Sequence, residues 1–189
     1  METPAGRPPS QHGRETKIFF HQVLAVEIVI PKAVVEELVK RGLDPEAAII
    51  DALAKLAYLD PDAVAEARAE LAARYLEEGR ALADRDPVQA SEKLYKAAEE
   101  CVKALAARLG PAEVLERVDK RGRWTVADLE KAVAAISRQL GDWFREAWDS
   151  ANYLHVWGFH EAKLDAEAVK ARLPYVEKMV KEGCRPQPR

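Results

Sequence analysis

Apolar residues recur at helical spacing along most of the chain. The stripe after residue 61 consists of Val64, Leu71, Tyr75 and Leu82, which fall seven, four and seven positions apart. Two later stripes, each repeating at four, three and four positions, consist of Leu129, Val133, Ile136 and Leu140, and of Val169, Leu173, Val176 and Val180. Such spacing puts apolar side chains on one face of a helix. The pattern therefore predicts several amphipathic helices that pack through these faces.

The segment 87–109 is predicted to be the central helix. Asp86 precedes Pro87, and Gln89 occupies the third helical position, an arrangement that caps free amides at a helix start. Its apolar residues occupy two adjacent stripes, which predicts a broad buried face. The stripes are Val88, Tyr95, Val102 and Leu109, and Leu94, Cys101 and Leu105.

Three further helix starts follow along the chain. Thr125 with Asp128 resembles a capping box, and Asp142 restarts the chain after a glycine. Asp165 begins the last predicted helix, and Pro174 within it should introduce a kink because proline cannot donate the helical hydrogen bond.

The first 60 residues have a different pattern. Residues 1–15 hold three prolines and little that is apolar, which predicts a disordered tail. The run IFFHQVLAVEIVIP, residues 18–31, is rich in Ile, Val and Phe and predicts a short strand. Two short helices should follow, one after Pro31 and one after Asp44, so residues 16–60 are predicted to form a strand-helix-helix element.

The predicted fold class is all-α. Residues 61–183 should form an antiparallel up-and-down helix bundle, because amphipathic helices with short connections pack in this way. The strand-helix-helix element precedes the bundle, and residues 184–189 are predicted to be a tail. The second short helix carries its own apolar face, formed by Ile49, Ala52, Leu53 and Leu56.

The composition argues against nucleic acids and membranes as partners. The formal net charge is -3, with 29 basic and 32 acidic residues, so there is no overall positive field to attract a nucleic-acid backbone. The longest apolar stretch, residues 23–30, contains Glu27 and is too short to span a bilayer. We therefore expect a cytoplasmic protein with no membrane partner. A single asparagine among abundant Glu, Lys and Arg predicts a thermophilic source.

The candidate chemistry lies in WFREAWDSANYLHVWGFHE, residues 143–161. On a helix, a seam of small and apolar residues would line up as Phe144, Ala147, Ala151, Leu154 and Gly158. The adjoining flank carries Trp148, Asn152 and His155, with Asp149 nearby and His160 near the helix end. These five residues are the candidate binding surface.

Two interpretations of this flank remain open. In the structural one, which is favoured, Asn152 and His155 form hydrogen bonds across the bundle. In the functional one, His155 acts as a general acid or base, since its ordinary pKa is about 6.5. His160 lies near a helix end, where a cationic ring would interact favourably with the carbonyl dipoles, and this structural role is enough to explain its presence.

No cofactor or metal site is predicted. Cys101 and Cys184 are the only cysteines, so no second pair of cysteines is present to form a zinc site. The glutamate pairs at 77–78 and 99–100 are predicted to lie on a solvated face, because a di-iron site would need Glu-x-x-His motifs and the sequence has none. The loop KRGRW, residues 120–124, could contact a phosphate but is more typical of an exposed turn.

Three stretches carry a resemblance to a known family: LEEGRALADRDPVQASEKLYKAAEECVKALA, RWTVADLEKAV and AWDSANYLHVWGFHEAKLD. They resemble the archaeal PaREP family over residues 63–183. That family implies the helical fold and no established activity.

More distantly, Tyr95 and Ala97 on an early helix, with Asn152 and His155 on a later one, are similar to HEPN domains. Many HEPN domains are metal-independent endoribonucleases, so the resemblance implies a HEPN-like bundle in which His155 could be catalytic. The HEPN motif places an arginine before the histidine with four to six residues between them. The corresponding residues in this chain are Ser150, Asp149 and Trp148, and Arg145 is separated from His155 by nine residues.

Residues 26–57 look like a ribbon-helix-helix unit, whose paired strands usually enter the DNA major groove. The strand carries Glu27 and no basic residues that would contact bases, so we favour packing or dimerisation over DNA binding. The resulting hypothesis is a non-enzymatic binding or interaction module that forms a homodimer and has a protein or RNA/nucleotide partner. The alternatives are a divergent metal-independent endoribonuclease using His155 and a ribbon-helix-helix DNA regulator.

Overall fold

A computed structural model describes residues 28–184, and within this range the chain is helical with no strand. The helices are α1 (Lys32–Lys40), α2 (Pro45–Leu56), α3 (Pro61–Leu82), α4 (Pro87–Leu109), α5 (Ala112–Arg121), α6 (Val126–Leu140), α7 (Asp142–Tyr153), α8 (Ala166–Lys170) and α9 (Leu173–Lys178). Two of them continue directly as π-helices, α7 over Leu154–His160 and α9 over Met179–Gly183. The all-α prediction is confirmed. The antiparallel, HEPN-like arrangement stays a prediction.

The predicted N-terminal strand is not seen. Residues 28–30, at its end, lie in neither a helix nor a strand. The rest of the strand lies outside the described residues, as do the predicted tail 1–15 and residues 185–189. The two short helices of the N-terminal element are present as α1 and α2.

Helix α4 is the centre of the fold, as its sequence predicts. Twelve of its 23 residues are buried, and it packs against α3, α6, α7 and α9. Its buried face mixes small and large side chains, so neighbouring helices can approach its backbone closely. Asp86 begins the helix as predicted, with its side chain accepting a hydrogen bond from the Gln89 amide at 3.0 Å.

Polar side chains also fix where α2 and α6 begin. Asp44 accepts from the amides of Glu46 and Ala47, and Thr125 and Asp128 form the predicted reciprocal capping box. Burial would raise the pKa of Asp128, but hydrogen bonds from Thr125 and Arg121 outweigh burial and hold this pKa at about 2. The carboxylate therefore stays ionised at the start of α6, where the helix dipole favours it.

A buried charge network joins α2, α3 and α4. Arg68 is 5% exposed and donates to Glu100 at 2.7 Å and to Asp51. Lys103 donates to Glu100 from the other side, also at 2.7 Å. The prediction of a solvated face for residues 99–100 is thus wrong for Glu100, which is 2% exposed. Sequence spacing shows Lys103, three residues away, but not Arg68, which lies 32 residues away and comes from another helix.

The C-terminal part is less regular than predicted. The single kinked helix is two short helices, α8 and α9, separated by residues 171–172. Pro174 lies in the first turn of α9, a position that needs no amide donor, so the proline starts a helix instead of bending one.

The prediction that residues 184–189 form a tail is wrong for Cys184. It is buried, and its Sγ lies 3.9 Å from the carbonyl oxygen of Cys101. Burial raises the pKa of the Cys101 thiol, and Cys184 beside it adds to that increase. Both cysteines are free in the structure. None of the helices in the described range is long and apolar enough to cross a membrane.

Candidate functional site

The predicted seam of α7 is confirmed and positions the candidate site. Its members Phe144, Ala147, Ala151, Leu154 and Gly158 are all buried. The seam brings α7 and its π-helical continuation against α4. The adjoining flank therefore faces residues on α4.

Gly158 permits the closest approach. A Cβ atom built on this glycine would lie 2.1 Å from Oγ of Ser91 on α4, so any larger residue would force the helices apart. Ser91 itself donates its hydroxyl hydrogen to the Pro87 carbonyl at 2.7 Å, which fixes its position.

The π-helix brings the two histidines together. In an α-helix, residues five apart differ by about 140° around the axis, so His155 and His160 would diverge. In a π-helix the i→i+5 hydrogen bond stacks such residues, and the Glu161 amide indeed donates to the Val156 carbonyl at 2.9 Å. The Nε2 atoms of His155 and His160 consequently lie 3.0 Å apart.

His155 is fixed on its other nitrogen by α4. Its Nδ1 lies 3.0 Å from Oε2 of Glu92, and its ring stacks on Tyr95 with the centroids 4.0 Å apart. Because a carboxylate only accepts, the hydrogen-bond network assigns a proton to Nδ1 of His155. In neutral His155 the Nε2 lone pair then accepts from Nε2–H of His160. We call Glu92, Tyr95, His155 and His160 the histidine cluster.

Trp148 does not belong to an exposed surface, which corrects its assignment to the candidate binding surface. It is fully buried, and its indole Nε1–H donates to Oε1 of Glu130 on α6 at 2.7 Å. Asn152 donates to the same oxygen at 3.3 Å. Both residues therefore hold α7 against α6, which agrees with the structural interpretation of Asn152.

Asp149 lies apart from the cluster. It is exposed on α7 and makes no hydrogen bond or ion pair with the described residues. The carboxylate next to His155 is Glu92 instead. Of the five candidate residues, the structure brings together His155 and His160 directly, and it ties Trp148 and Asn152 to each other through Glu130.

The surroundings of the cluster are acidic. Burial raises the pKa of Tyr95, and the carboxylates of Glu99, Glu92 and Glu130 raise it further, so the phenol stays protonated. Lys96 lies 3.7 Å from Glu92, but it also forms an ion pair with Asp44 on the α2 side. Its charge is therefore shared between two carboxylates.

Asp44 connects the cluster to the N-terminal helices. It caps α2, accepts from the Tyr75 hydroxyl at 2.7 Å and pairs with Lys96. Burial would raise the pKa of Asp44, but hydrogen bonds from the Ala47 amide, Lys96 and Tyr75 outweigh burial and lower it. Burial raises the pKa of Tyr75, and the Asp44 carboxylate beside it contributes.

A cleft of about 750 Å³ opens beside His155. It is bounded by the turn before α2, by α4 and by the loop after α5. Two of its cations pair with carboxylates, Arg68 with Asp51 and Lys103 with Glu99. Lys55 and Arg123 also line the cleft and form no ion pair with the described residues. A cleft of this size could hold a small molecule or a peptide side chain.

One arginine of the basic loop, Arg121, and one arginine of α5, Arg117, are bound within the fold. Arg121 donates to Asp128 at 2.6 Å, and Arg117 approaches the same carboxylate at 3.3 Å. Gly122, with φ of 75°, reverses the chain after α5 in the left-handed region that favours glycine. The loop is an exposed turn with one of its arginines bound to α6.

The HEPN motif positions do not supply a cation near His155. Trp148 is in the core, while Asp149 and Arg145 are exposed. Among residues 28–184, no arginine side chain forms a hydrogen bond or ion pair with the histidine cluster.

Sequence reasoning missed Glu92 and Glu130. Glu92 lies three positions before Tyr95, so both lie on one helical face, and that spacing is the signal that could have identified it. Glu130 has no comparable signal because its role depends on how α6 packs against α7.

Comparisons with known proteins identify the family of this chain. A crystal structure of a protein from Sulfolobus solfataricus is 38% identical with a TM-score of 0.55, covering 60% of this chain and 93% of that one. A solution structure of the Orf c02003 protein is 39% identical with a TM-score of 0.52, covering 59% of this chain and 87% of that one. No curated protein matches the chain. The family model described as the archaeal PaREP1/PaREP8 family matches residues 67–180. The chain therefore belongs to the archaeal PaREP1/PaREP8 family.

Proposed function

We propose that this protein is a non-enzymatic interaction module whose partner is a second copy of itself, joined through the N-terminal helices. The observation that carries the proposal is an apolar face of α2 that the protomer leaves uncovered. The bundle then supports the interface and presents the histidine cluster beside the cleft.

The uncovered surface is the predicted apolar face of α2. Ile49 is partly buried, Ala52 and Leu53 are exposed, and Leu56 is 78% exposed. Helix α1 is amphipathic, yet none of its residues is buried. Further exposed apolar residues precede and follow α2 in the sequence: Ile28, Val29, Val34, Val39, Tyr58 and Leu59. An accumulation of exposed apolar side chains in one region is typical of an interaction site.

A second copy is the occupant that fits this surface best. In a twofold contact the same patch faces itself, so unpaired like charges would repel across the axis. The face formed by Ile49, Ala52, Leu53 and Leu56 contains no charge. Near it, two of the exposed charges of α1 are already paired with a neighbour, Lys32 with Glu36 and Glu37 with Arg41 just after the helix. Lys40 is exposed and forms no ion pair with the described residues, so a twofold contact has to leave the two Lys40 side chains in solvent.

The sequence before α1 is also rich in apolar residues. Residues 18–30 are apolar except for a few polar positions, and Ile28 and Val29 near the end of this run are exposed. The resemblance of residues 26–57 to a ribbon-helix-helix unit is a sequence argument for pairing of two chains.

The electrostatics of the cluster support a role without phosphoryl chemistry. Cleavage of RNA develops negative charge that needs a cation or several donors nearby. Around His155 the described side chains offer Glu92, Tyr95 and one nitrogen donor, His160, and the charge of Lys96 is shared with Asp44. An acidic site of this kind disfavours a phosphate group.

Light scattering after size-exclusion chromatography tests the self-association. We expect the wild-type chain to elute at twice its 21.1 kDa mass and the Leu53→Lys/Leu56→Lys variant to elute as a monomer. Val126→Lys is the matched control, because Val126 is 63% exposed but lies at the start of α6. A wild-type monomer, or a variant that still dimerises, would overturn the proposal.

Incubation with mixed single-stranded RNA in EDTA tests the absence of catalysis. The purified wild-type protein and His155→Ala are followed on a gel. We expect no cleavage by either. Cleavage by the wild type alone would replace this proposal with the divergent endoribonuclease that uses His155.

A further inference from the structure

We propose that His155 and His160 form a two-nitrogen site for a borderline divalent transition metal, of the class of Zn²⁺, Ni²⁺ and Cu²⁺. Imidazole nitrogens suit these ions, whereas Mg²⁺ and Ca²⁺ prefer oxygen. The site goes beyond the proposed function, since a metal could bind to one copy of the chain whether or not it dimerises.

The distance between the two nitrogens is close to that of a metal site. Nε2 of His155 and Nε2 of His160 lie 3.0 Å apart. Two imidazoles on a tetrahedral zinc, each at about 2.0 to 2.1 Å, would hold their nitrogens about 3.3 Å apart. His160 is exposed, so a small rotation of its ring supplies the difference.

Glu92 prepares His155 for this role. Metal-binding histidines commonly donate their second ring N–H to a carboxylate, which fixes the ring and increases its basicity. The Nδ1 of His155 makes this contact with Glu92 at 3.0 Å. The Nε2 lone pair of neutral His155 then points away from α4 toward His160. The stacked Tyr95 ring further limits rotation of the imidazole.

His160 can supply the second lone pair by changing tautomer. Without metal, its Nε2–H donates to His155. On binding, that proton moves through water to Nδ1 of the same ring, so both Nε2 lone pairs face the ion and no net proton is released. The π-helix is what places the two rings on one side of the backbone, because its i→i+5 hydrogen bonds stack residues five apart.

The remaining coordination positions are open. Within residues 28–184, no group of three or more His, Cys, Asp or Glu side chains is arranged to hold a metal. Water or a group from a bound partner would therefore complete the shell. An open position of this kind distinguishes the site from a closed structural zinc site.

Calorimetric titration with NiCl₂ alone tests the site in the full chain. His12 and His21 are replaced by alanine in every sample, so that His155 and His160 are the only histidines left. We expect saturable binding of one Ni²⁺ per chain, and we expect His160→Ala to abolish it. An unchanged affinity in His160→Ala, or no saturable binding in the parent, would overturn the proposal.

A second pair of variants tests the role of Glu92. Glu92→Gln should weaken Ni²⁺ binding by about tenfold or more, because it removes the carboxylate that accepts from Nδ1–H of His155 and orients the ring. Asp149→Asn removes an exposed carboxylate from α7 and should leave the affinity unchanged. Equal effects of the two substitutions would show that Glu92 acts only through overall charge, which contradicts the assigned geometry. Circular dichroism of each variant verifies its fold.

The metal site and the proposed dimer can fail independently. The titration is repeated in Leu53→Lys/Leu56→Lys, where we expect the same Ni²⁺ affinity. Light scattering in EDTA reports on the dimer without metal. Loss of metal binding in the monomeric variant would contradict the inference that one chain holds the complete pair of nitrogens.

Discussion

Two regions of the chain, the helix body (α3 to α9) and the N-terminal helix pair (α1 and α2), both carry apolar residues at helical spacing. These residues are buried in the body and exposed on the helix pair. In the body, Leu129, Val133 and Ile136 are buried as their spacing predicts. In the helix pair, Leu53 and Leu56 follow an equally clear pattern and remain exposed. Periodicity identifies an apolar face, but the sequence does not state which element covers it.

The two regions also differ in how they are held. The body is built around the buried face of α4, whereas the helix pair contributes one buried residue, Ala47. Polar contacts attach the pair to the body through Asp44, Asp51 and Glu46. Because the helix pair is attached mainly by ion pairs and by a small apolar contact, we expect it to detach from the body by local unfolding while the body stays folded.

The largest expected effect comes from Arg68→Ala. Removing this side chain leaves Glu100 buried beside Lys103 alone and frees Asp51 on α2, so we expect a loss of about 3 to 5 kcal/mol in the free energy of unfolding. Urea denaturation followed by circular dichroism measures this loss.

Arg74→Ala is the matched control for Arg68→Ala. Arg74 also pairs with a carboxylate of α2, Glu46, but both side chains are about half exposed. Exposed pairs contribute at most about 1 kcal/mol, so the control should be far milder. Similar losses in the two variants would mean that burial of the Arg68 network contributes nothing special.

Gly158→Ala should have the next largest effect. The added Cβ would collide with Oγ of Ser91, and overpacking of this kind costs about 1 to 3 kcal/mol. Denaturation of Gly158→Ala, Ser91→Gly and the double variant measures the coupling. Ser91→Gly should restore part of the stability lost in Gly158→Ala, and a strictly additive double variant would contradict the close contact.

Acid should weaken the attachment of the helix pair through Asp44. The pKa of this carboxyl is lowered in the folded protein, so its stabilisation is present above the ordinary value of 3.8 and is lost as the pH falls through the folded value. Asp44→Asn keeps a capping side chain but removes the charge. It should cost about 1 kcal/mol at pH 6 and reduce the loss of stability on acidification.

Urea denaturation of the wild type and Asp44→Asn at pH 6 and pH 3 measures this difference. Asp84→Asn serves as a control, because Asp84 is exposed and pairs only with Lys170 at the surface. The same acid dependence in the wild type and Asp44→Asn would remove Asp44 from the attachment.

The sequence predicted the body well because its determinants are local. The seam of α7 and the caps at Asp86 and Thr125 depend on spacing and on neighbouring residues. The central role of α4 follows from its two adjacent stripes. Each of these features can be recognised within one or two helical turns.

The candidate site was predicted only in part because it depends on distant contacts and on an unusual backbone. His155, His160 and Asn152 were identified, but their partners Glu92 and Glu130 lie on other helices. The α-helical assumption separates the two histidines, whereas the π-helix brings them together. Trp148 was assigned to the surface because an aromatic flank does not reveal its depth.

The smallest effect is expected on the uncovered face itself. At concentrations low enough for the chain to be monomeric, Leu56→Ala should change the free energy of unfolding by less than about 0.5 kcal/mol, because the side chain is 78% exposed. Leu76→Ala, at a leucine of α3 that is 1% exposed, should cost about 2 to 5 kcal/mol. Raising the protein concentration should increase the cost of Leu56→Ala alone, since dimerisation then contributes to wild-type stability. A cost that is large and independent of concentration would mean that the body of its own chain covers Leu56, and the contrast between the two regions would disappear.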